Sequence, residues 1–122
     1  MSDRLLIKIC GVRDAETATA AARCGADRVG LVFVPKSVRF LEESEAPSVI
    51  AALPPSVKPV GLFVNPDDRL EEVGALVERL GLRAVQLHGR AGRTARRLES
   101  LELWRAVPFV PDRFEADVAE VE

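Results

Sequence analysis

Five short apolar runs, each followed by a helical pattern, constrain the fold of this chain more than any other feature. The runs are Leu5–Cys10, Arg28–Val34, Lys58–Val64, Ala84–His88 and Leu103–Val107. They are rich in Val, Ile, Leu and Phe and nearly continuous in apolar character, as parallel strands are. The segments between them carry helix punctuation. Asp14 is placed to cap a first helix and Gly25 to end it, with Ala15, Ala18 and Ala22 as a small inner face. A second helix carries Val49, Ile50 and Leu53 and stops at Pro54-Pro55; its early Pro47 is tolerable with Ser44 as the cap. Leu70, Val73, Leu76, Val77 and Leu80 form one stripe, closed by Gly81. A fourth helix is expected over Thr94–Leu101 and a fifth from Asp112. A β-α unit repeated five times predicts a parallel sheet with right-handed crossovers.

Two architectures meet that description, an open doubly wound sheet and a (βα) barrel. Strand parity favours the barrel. Side chains alternate along a strand, so Lys8 and Cys10 share one face, and Gln86 and His88 share another. In the fifth strand Arg105 lies on one side, with Trp104 and Ala106 on the other. An open parallel sheet is covered by helices on both faces and would place such groups badly. A barrel has helices outside only, and its interior holds polar side chains near the C-terminal mouth, where active sites lie.

Size then sets a limit. A full (βα)₈ barrel takes roughly 200–250 residues, and this chain has 122. Five strands cannot close, so the first and fifth are exposed edges, open to pairing with another chain. The expected fold is an incomplete (βα)₈ TIM barrel of about five βα units, residues 1–122 being the N-terminal portion of one barrel domain.

Composition excludes several partner classes. A net charge of −2 gives no support for a nucleic-acid or membrane surface. No apolar run approaches the ~20 residues that span a bilayer. No signal-peptide pattern opens the chain, and two cysteines are too few for a disulfide scaffold, so a cytoplasmic setting is expected. One histidine and two cysteines offer no metal-ligand spacing. On residues alone, Cys10 reads first as a small buried hydrophobe, His88 as a satisfied structural group and Arg39 as a solvated loop residue. Arg93, Arg96 and Arg97 fall at helical spacing and read as a solvated face; Cys24 is expected to pack the end of the first helix.

The segments "KICGV", "GADRVGLVFVPKSVRF", "LPPSVKPVGLFVN" and "AVQLHG" occur in that order. Together they resemble phosphoribosylanthranilate isomerase, from residue 5 to the end of the chain. The resemblance implies a single-domain barrel and an Amadori rearrangement of tryptophan biosynthesis that uses neither cofactor nor metal. Its substrate is a small phosphosugar–anthranilate conjugate. It further implies that Cys10 is the general base, that Arg39 holds the anthranilate carboxylate, and that Gln86 and His88 line the mouth. Lys8 is then the electrostatic neighbour of Cys10, since a thiol ionises within reach of neutral pH and a cation favours the thiolate. The family's general acid is an aspartate ending a sixth strand, and its phosphate loops come later still. Both would lie beyond Glu122, and neither Asp112 nor Asp117 can replace the acid. The 122-residue chain alone is therefore expected to be inactive. Val34 and Phe40 depart from the usual aromatic and tyrosine, and Arg90 stands where an acidic residue is common. Two other readings stay open: a catalytically dead half-barrel acting as an interaction module, and another phosphosugar-binding barrel enzyme.

Overall fold

All five strands are parallel and lie side by side in the order in which they occur along the chain. This is the arrangement in a computed structural model, which describes residues 4–108 and 110–121. The strands are β1 (Lys8–Cys10), β2 (Arg28–Val32), β3 (Lys58–Val64), β4 (Ala84–His88) and β5 (Glu102–Ala106). Between and after them run α1 (Ala15–Arg23), α2 (Ala46–Ala51), α3 (Leu70–Leu80), α4 (Gly92–Arg97) and α5 (Phe114–Val121).

Local chemistry accounts for most boundaries. Asp14 caps α1 by accepting a 2.7 Å hydrogen bond from the Thr17 amide, and Gly25 follows its C-cap, Cys24. Gly81 ends α3 in the left-handed region, at φ 64°, a conformation that costs other residues more. The structure also corrects several expectations. The first strand begins at Lys8, because Ile7 is engaged by Asp27: its amide donates to the carboxylate, and its carbonyl accepts from the Asp27 and Arg28 amides. Ser44 caps nothing; it lies inside a 3₁₀ turn, Glu43–Glu45, that leads into α2. α4 spans Gly92–Arg97 and α5 starts at Phe114, two residues later than the sequence pattern suggests. The buried face of α1 is Ala18 and Ala21, with Ala15 exposed, and Cys24 is exposed instead of packed.

One sheet face carries Val29, Leu31, Phe33, Phe63, Val85 and Leu87, packed against Ala18, Ala21, Val49, Val73 and Val77 of the helices. The opposite face carries Lys8, Cys10, Arg28, Gly30, Lys58, Gln86, His88, Glu102 and Trp104, by parity and register. Arg105 lies with the helix-covered face, and Trp104 with the other, as alternation requires.

That second face is strongly concave. β1 and β5 are four strand spacings apart, about 19 Å on a flat sheet. Yet the Lys8 Nζ lies 5.8 Å from the centroid of the Trp104 ring. Across three spacings, the Arg28 guanidinium grips Glu102 with two hydrogen bonds of 2.8 Å. Side chains on a flat sheet project parallel and never converge in this way. The contacts therefore require the curvature of a barrel wall, and the chain forms an incomplete (βα)₈ barrel of five units.

Glu102 is the hub of this lumenal cluster. It also accepts from Lys58 Nζ at 3.1 Å and from the Trp104 indole at 2.6 Å. The Arg28 hydrogen bonds are the main reason that its carboxyl is pulled from 4.5 down to about 2, against the opposing cost of burial. A depressed carboxylate stabilises the fold above its unfolded pKa and loses that contribution as pH falls through the folded value. At pH 6 the parent is expected to exceed Glu102→Gln in stability by roughly 2 kcal/mol, after allowance for partial solvent exposure. The gap should close between pH 4.5 and 2. Urea unfolding of both proteins across that range reads the effect; a gap independent of pH would refute it.

Candidate active site

The C-terminal ends of parallel strands leave unpaired backbone and free loops, so chemistry gathers there. β1 delivers Cys10, half-buried, to this rim. The chain turns at once through Gly11 at φ +86°, which few residues with a side chain tolerate. The turn has a second use. A Cβ on Gly11 would overlap the aliphatic stem of Arg39, so Arg39, from the loop after β2, packs directly over the residue next to Cys10. Arg13 pins that loop, donating from Nη1 to the Val38 carbonyl at 2.7 Å, and the Ser37 hydroxyl accepts from the Arg39 amide at 3.1 Å. The guanidinium of Arg39 is exposed and makes no hydrogen bond or ion pair among the described residues. The rim thus carries a thiol on β1 and, packed over the next residue, a planar cationic fork of a shape suited to a carboxylate. Lys36 is exposed on the same loop.

β4 supplies Gln86 and His88 to the concave face. Gln86 Nε2 and His88 Nε2 lie 3.1 Å apart, and the Gln86 Oε1 is buried with no protein partner. Burial, and then the charge of Lys8, pushes the His88 pKa below its ordinary value. The imidazole is accordingly neutral at pH 7 and can pass protons or accept hydrogen bonds there. Lys8 points across the lumen to Trp104, and its field reaches His88.

The β3 and β4 loops are clasped to each other beside this rim. The Asn65 amide donates to the His88 carbonyl at 2.8 Å, and the Asn65 side chain accepts from the Arg90 amide at 2.9 Å. Asp67 accepts from the Thr94 amide and hydroxyl, both at 2.7 Å, and from the Arg93 amide. Burial opposes ionisation of Asp67, but these donors outweigh it and hold the carboxyl below its usual range. The arginine-rich segment is exposed, as its spacing suggests, and partly paired: Arg90 with Asp68 and Arg97 with Glu71. Arg90 therefore has a partner on the β3 loop.

Sequence reasoning missed Arg28, Lys58, Glu102 and Trp104 as one cluster. Extending the two-residue alternation from β1 and β4 to every strand would have put all four on the lumenal face. Among the described residues no group of three His, Cys, Asp or Glu side chains could hold a metal ion, and no helix is long and apolar enough to cross a membrane. Two pockets of roughly 570 and 610 Å³ lie elsewhere, one along α3 and α4 and one above β4 and β5; neither includes Cys10 or Arg39.

Comparison with known proteins supplies an independent line. The sequence model of the N-(5'-phosphoribosyl)anthranilate isomerase family matches residues 7–121. A protein of that name from Azotobacter vinelandii is 48% identical over 82 residues, covering 67% of this chain and 39% of the relative. Another from Desulfitobacterium hafniense (strain DSM 10664 / DCB-2) is 42% identical over 83 residues, covering 68% of this chain and 34% of the relative. The chain thus spans well under half the length of these curated relatives. A crystal structure of phosphoribosylanthranilate isomerase from Thermotoga maritima superposes with TM-score 0.87 at 33% identity, over 97% of this chain and 58% of that one. A solved complex of such an isomerase with reduced 1-(o-carboxyphenylamino)-1-deoxyribulose 5-phosphate matches equally well, at TM-score 0.87 and 33% identity, covering 97% and 61%.

Proposed function

The chain belongs to the N-(5'-phosphoribosyl)anthranilate isomerase family, and from that premise we propose that the protein carrying it catalyses the family's Amadori rearrangement. N-(5'-phosphoribosyl)anthranilate becomes 1-(2-carboxyphenylamino)-1-deoxyribulose 5-phosphate. The observation that carries the proposal is the placing of Arg39 over Gly11, next to Cys10, at one end of the barrel wall.

The chemistry assigned to these residues is as follows. Protonation of the ribose ring oxygen by a general acid opens the ring to a Schiff base. Cys10 removes the C2′ proton, and the electron pair moves to the imine to give an enolamine, which tautomerises to the ketone. Arg39 binds the anthranilate carboxylate through its two-pronged guanidinium. His88, neutral and hydrogen-bonded to Gln86, and the buried Gln86 oxygen line the floor below the substrate. Lys8 supplies positive charge to that floor. The reaction needs no metal or redox cofactor in this scheme, and a cytoplasmic location follows for an enzyme of amino-acid biosynthesis.

Arg39→Lys keeps the charge but removes the fork. In the intact protein KM is expected to rise about 10-fold, with kcat changed far less. Steady-state turnover with N-(5'-phosphoribosyl)anthranilate reads this, and an unchanged KM would remove Arg39 from the site. One observation favours a second reading, an interaction module: among the described residues β1 and β5 each pair on one side only, and Leu5 beside β1 is 82% exposed. Turnover of N-(5'-phosphoribosyl)anthranilate by the intact protein, lost in Cys10→Ser, excludes that reading and with it a barrel enzyme that acts only on another phosphosugar.

A further inference from the structure

Gly30 is the lumenal neighbour of Cys10 across the β1–β2 ladder. It is buried and sits inside a regular strand, and it is not among the glycines with positive φ. Its backbone conformation therefore suits any residue, and a glycine inside a strand is otherwise a loss of packing and of chain order. Space explains it. A Cβ built on Gly30 would stand 2.9 Å from the Cys10 Sγ, 3.1 Å from its Cα and 3.3 Å from its Cβ. The thiol occupies the place of the missing side chain.

The same residue controls the backbone after Cys10. The Gly30 carbonyl accepts from the Gly11 amide at 3.0 Å and from the Val12 amide at 3.2 Å. Both residues that follow the thiol hang from one oxygen, and that anchoring accompanies the Gly11 turn on which Arg39 rests. Side chain and main chain thus converge on Gly30 from the same partner.

We propose that Gly30 is a positioning residue for Cys10: its empty Cβ site seats the thiol against the β2 wall and fixes the direction from which sulfur faces the lumen. The catalytic part of this inference rests on Cys10 being the base. An added methyl would push the sulfur off the wall, toward the open lumen, and would part the β1 and β2 backbones slightly. A displacement of about 1 Å at a reacting group is enough to cost 10²-fold in rate.

The test is Gly30→Ala in the intact protein, with two readouts. Alkylation by iodoacetamide, resolved by peptide mass spectrometry, compares Cys10 with the exposed Cys24 as an internal reference. The Cys10:Cys24 labelling ratio is expected to rise at least about fivefold, and kcat to fall about 10²-fold with KM within threefold. A folded variant whose labelling ratio and kcat both stay within twofold of the parent overturns the proposal. Should the variant fail to fold, Gly30→Ala with Cys10→Ala must recover at least half of the lost melting temperature, because the closest clash is with the sulfur; no recovery overturns the proposal as well. If Cys10→Ser leaves turnover intact, the base assignment falls, while the labelling ratio still judges the seat.

Discussion

Cys10→Ser is expected to lower kcat of the intact protein by about 10²–10⁴-fold, the usual contribution of one acid–base group, and to leave KM within a few-fold. Serine is close to cysteine in size, so it keeps the place against Gly30 and the strand pairing of β1. What it loses is basicity, since a hydroxyl does not ionise near neutral pH while a thiol does. The paired measurement is steady-state kinetics with circular dichroism as the control for folding. A variant with parental kcat would show that C2′ proton abstraction belongs to another group. A variant that lost KM and kcat together would point to a binding role for the sulfur.

The second large effect is on stability. Phe63→Ala is expected to cost about 3–5 kcal/mol, the range for truncating a buried aromatic. Phe63 is 2% exposed and stacks on Phe33 with ring centroids 5.6 Å apart and planes 24° apart. Around the two rings are Val73 and Leu76 of α3, so the pair joins β3 and the residue that follows β2 to the helix that covers them. These neighbours are held by rigid elements and can collapse only partly into the space. For a domain of this size the loss corresponds to a fall in melting temperature of roughly 10–20 °C. Calorimetry or chemical unfolding would measure it, and a loss below about 1 kcal/mol would show that the pair is not a packing centre. Activity per folded molecule should be unchanged, which separates this variant from Cys10→Ser.

Much of this architecture was legible from residue patterns. β3 and β4 fall on the expected residues because each is bounded by turn chemistry and filled with β-branched or apolar groups. α3 was equally plain, having both a full stripe and a glycine end. The first strand was misread at its start because Leu5 and Leu6 look like strand interior, and nothing local announces that Asp27, twenty residues on from Ile7, takes the Ile7 amide. The Ser44 cap failed for a similar reason: the 3₁₀ turn absorbs the segment before Pro47. At the rim, sequence could single out Cys10, Arg39, Gln86 and His88 as candidates, but not the contacts that Arg39 and His88 make. Packing of Arg39 on Gly11 depends on the β1–β2 register and on a loop course that periodicity does not encode. The same holds for Glu102, whose partners come from strands two and three positions away in the sheet.

The order of the strands has a consequence for how the wall assembles in time. Each strand pairs with the one made just before it, so the ladders join residues only 18 to 30 positions apart. Such contacts close shorter loops than a bridge between distant strands does, and they let a chain emerging from the ribosome add one unit after another. The lumenal bridge is the exception, since Arg28 and Glu102 are separated by 74 residues. Until β5 arrives, no hydrogen bond or ion pair among the described strand residues joins distant strands of the growing sheet across its concave side. Arrival of Glu102 and Trp104 is therefore a commitment step: it fixes the bend late, after the ladders are in register, and any further strand would meet a wall whose curvature is already set.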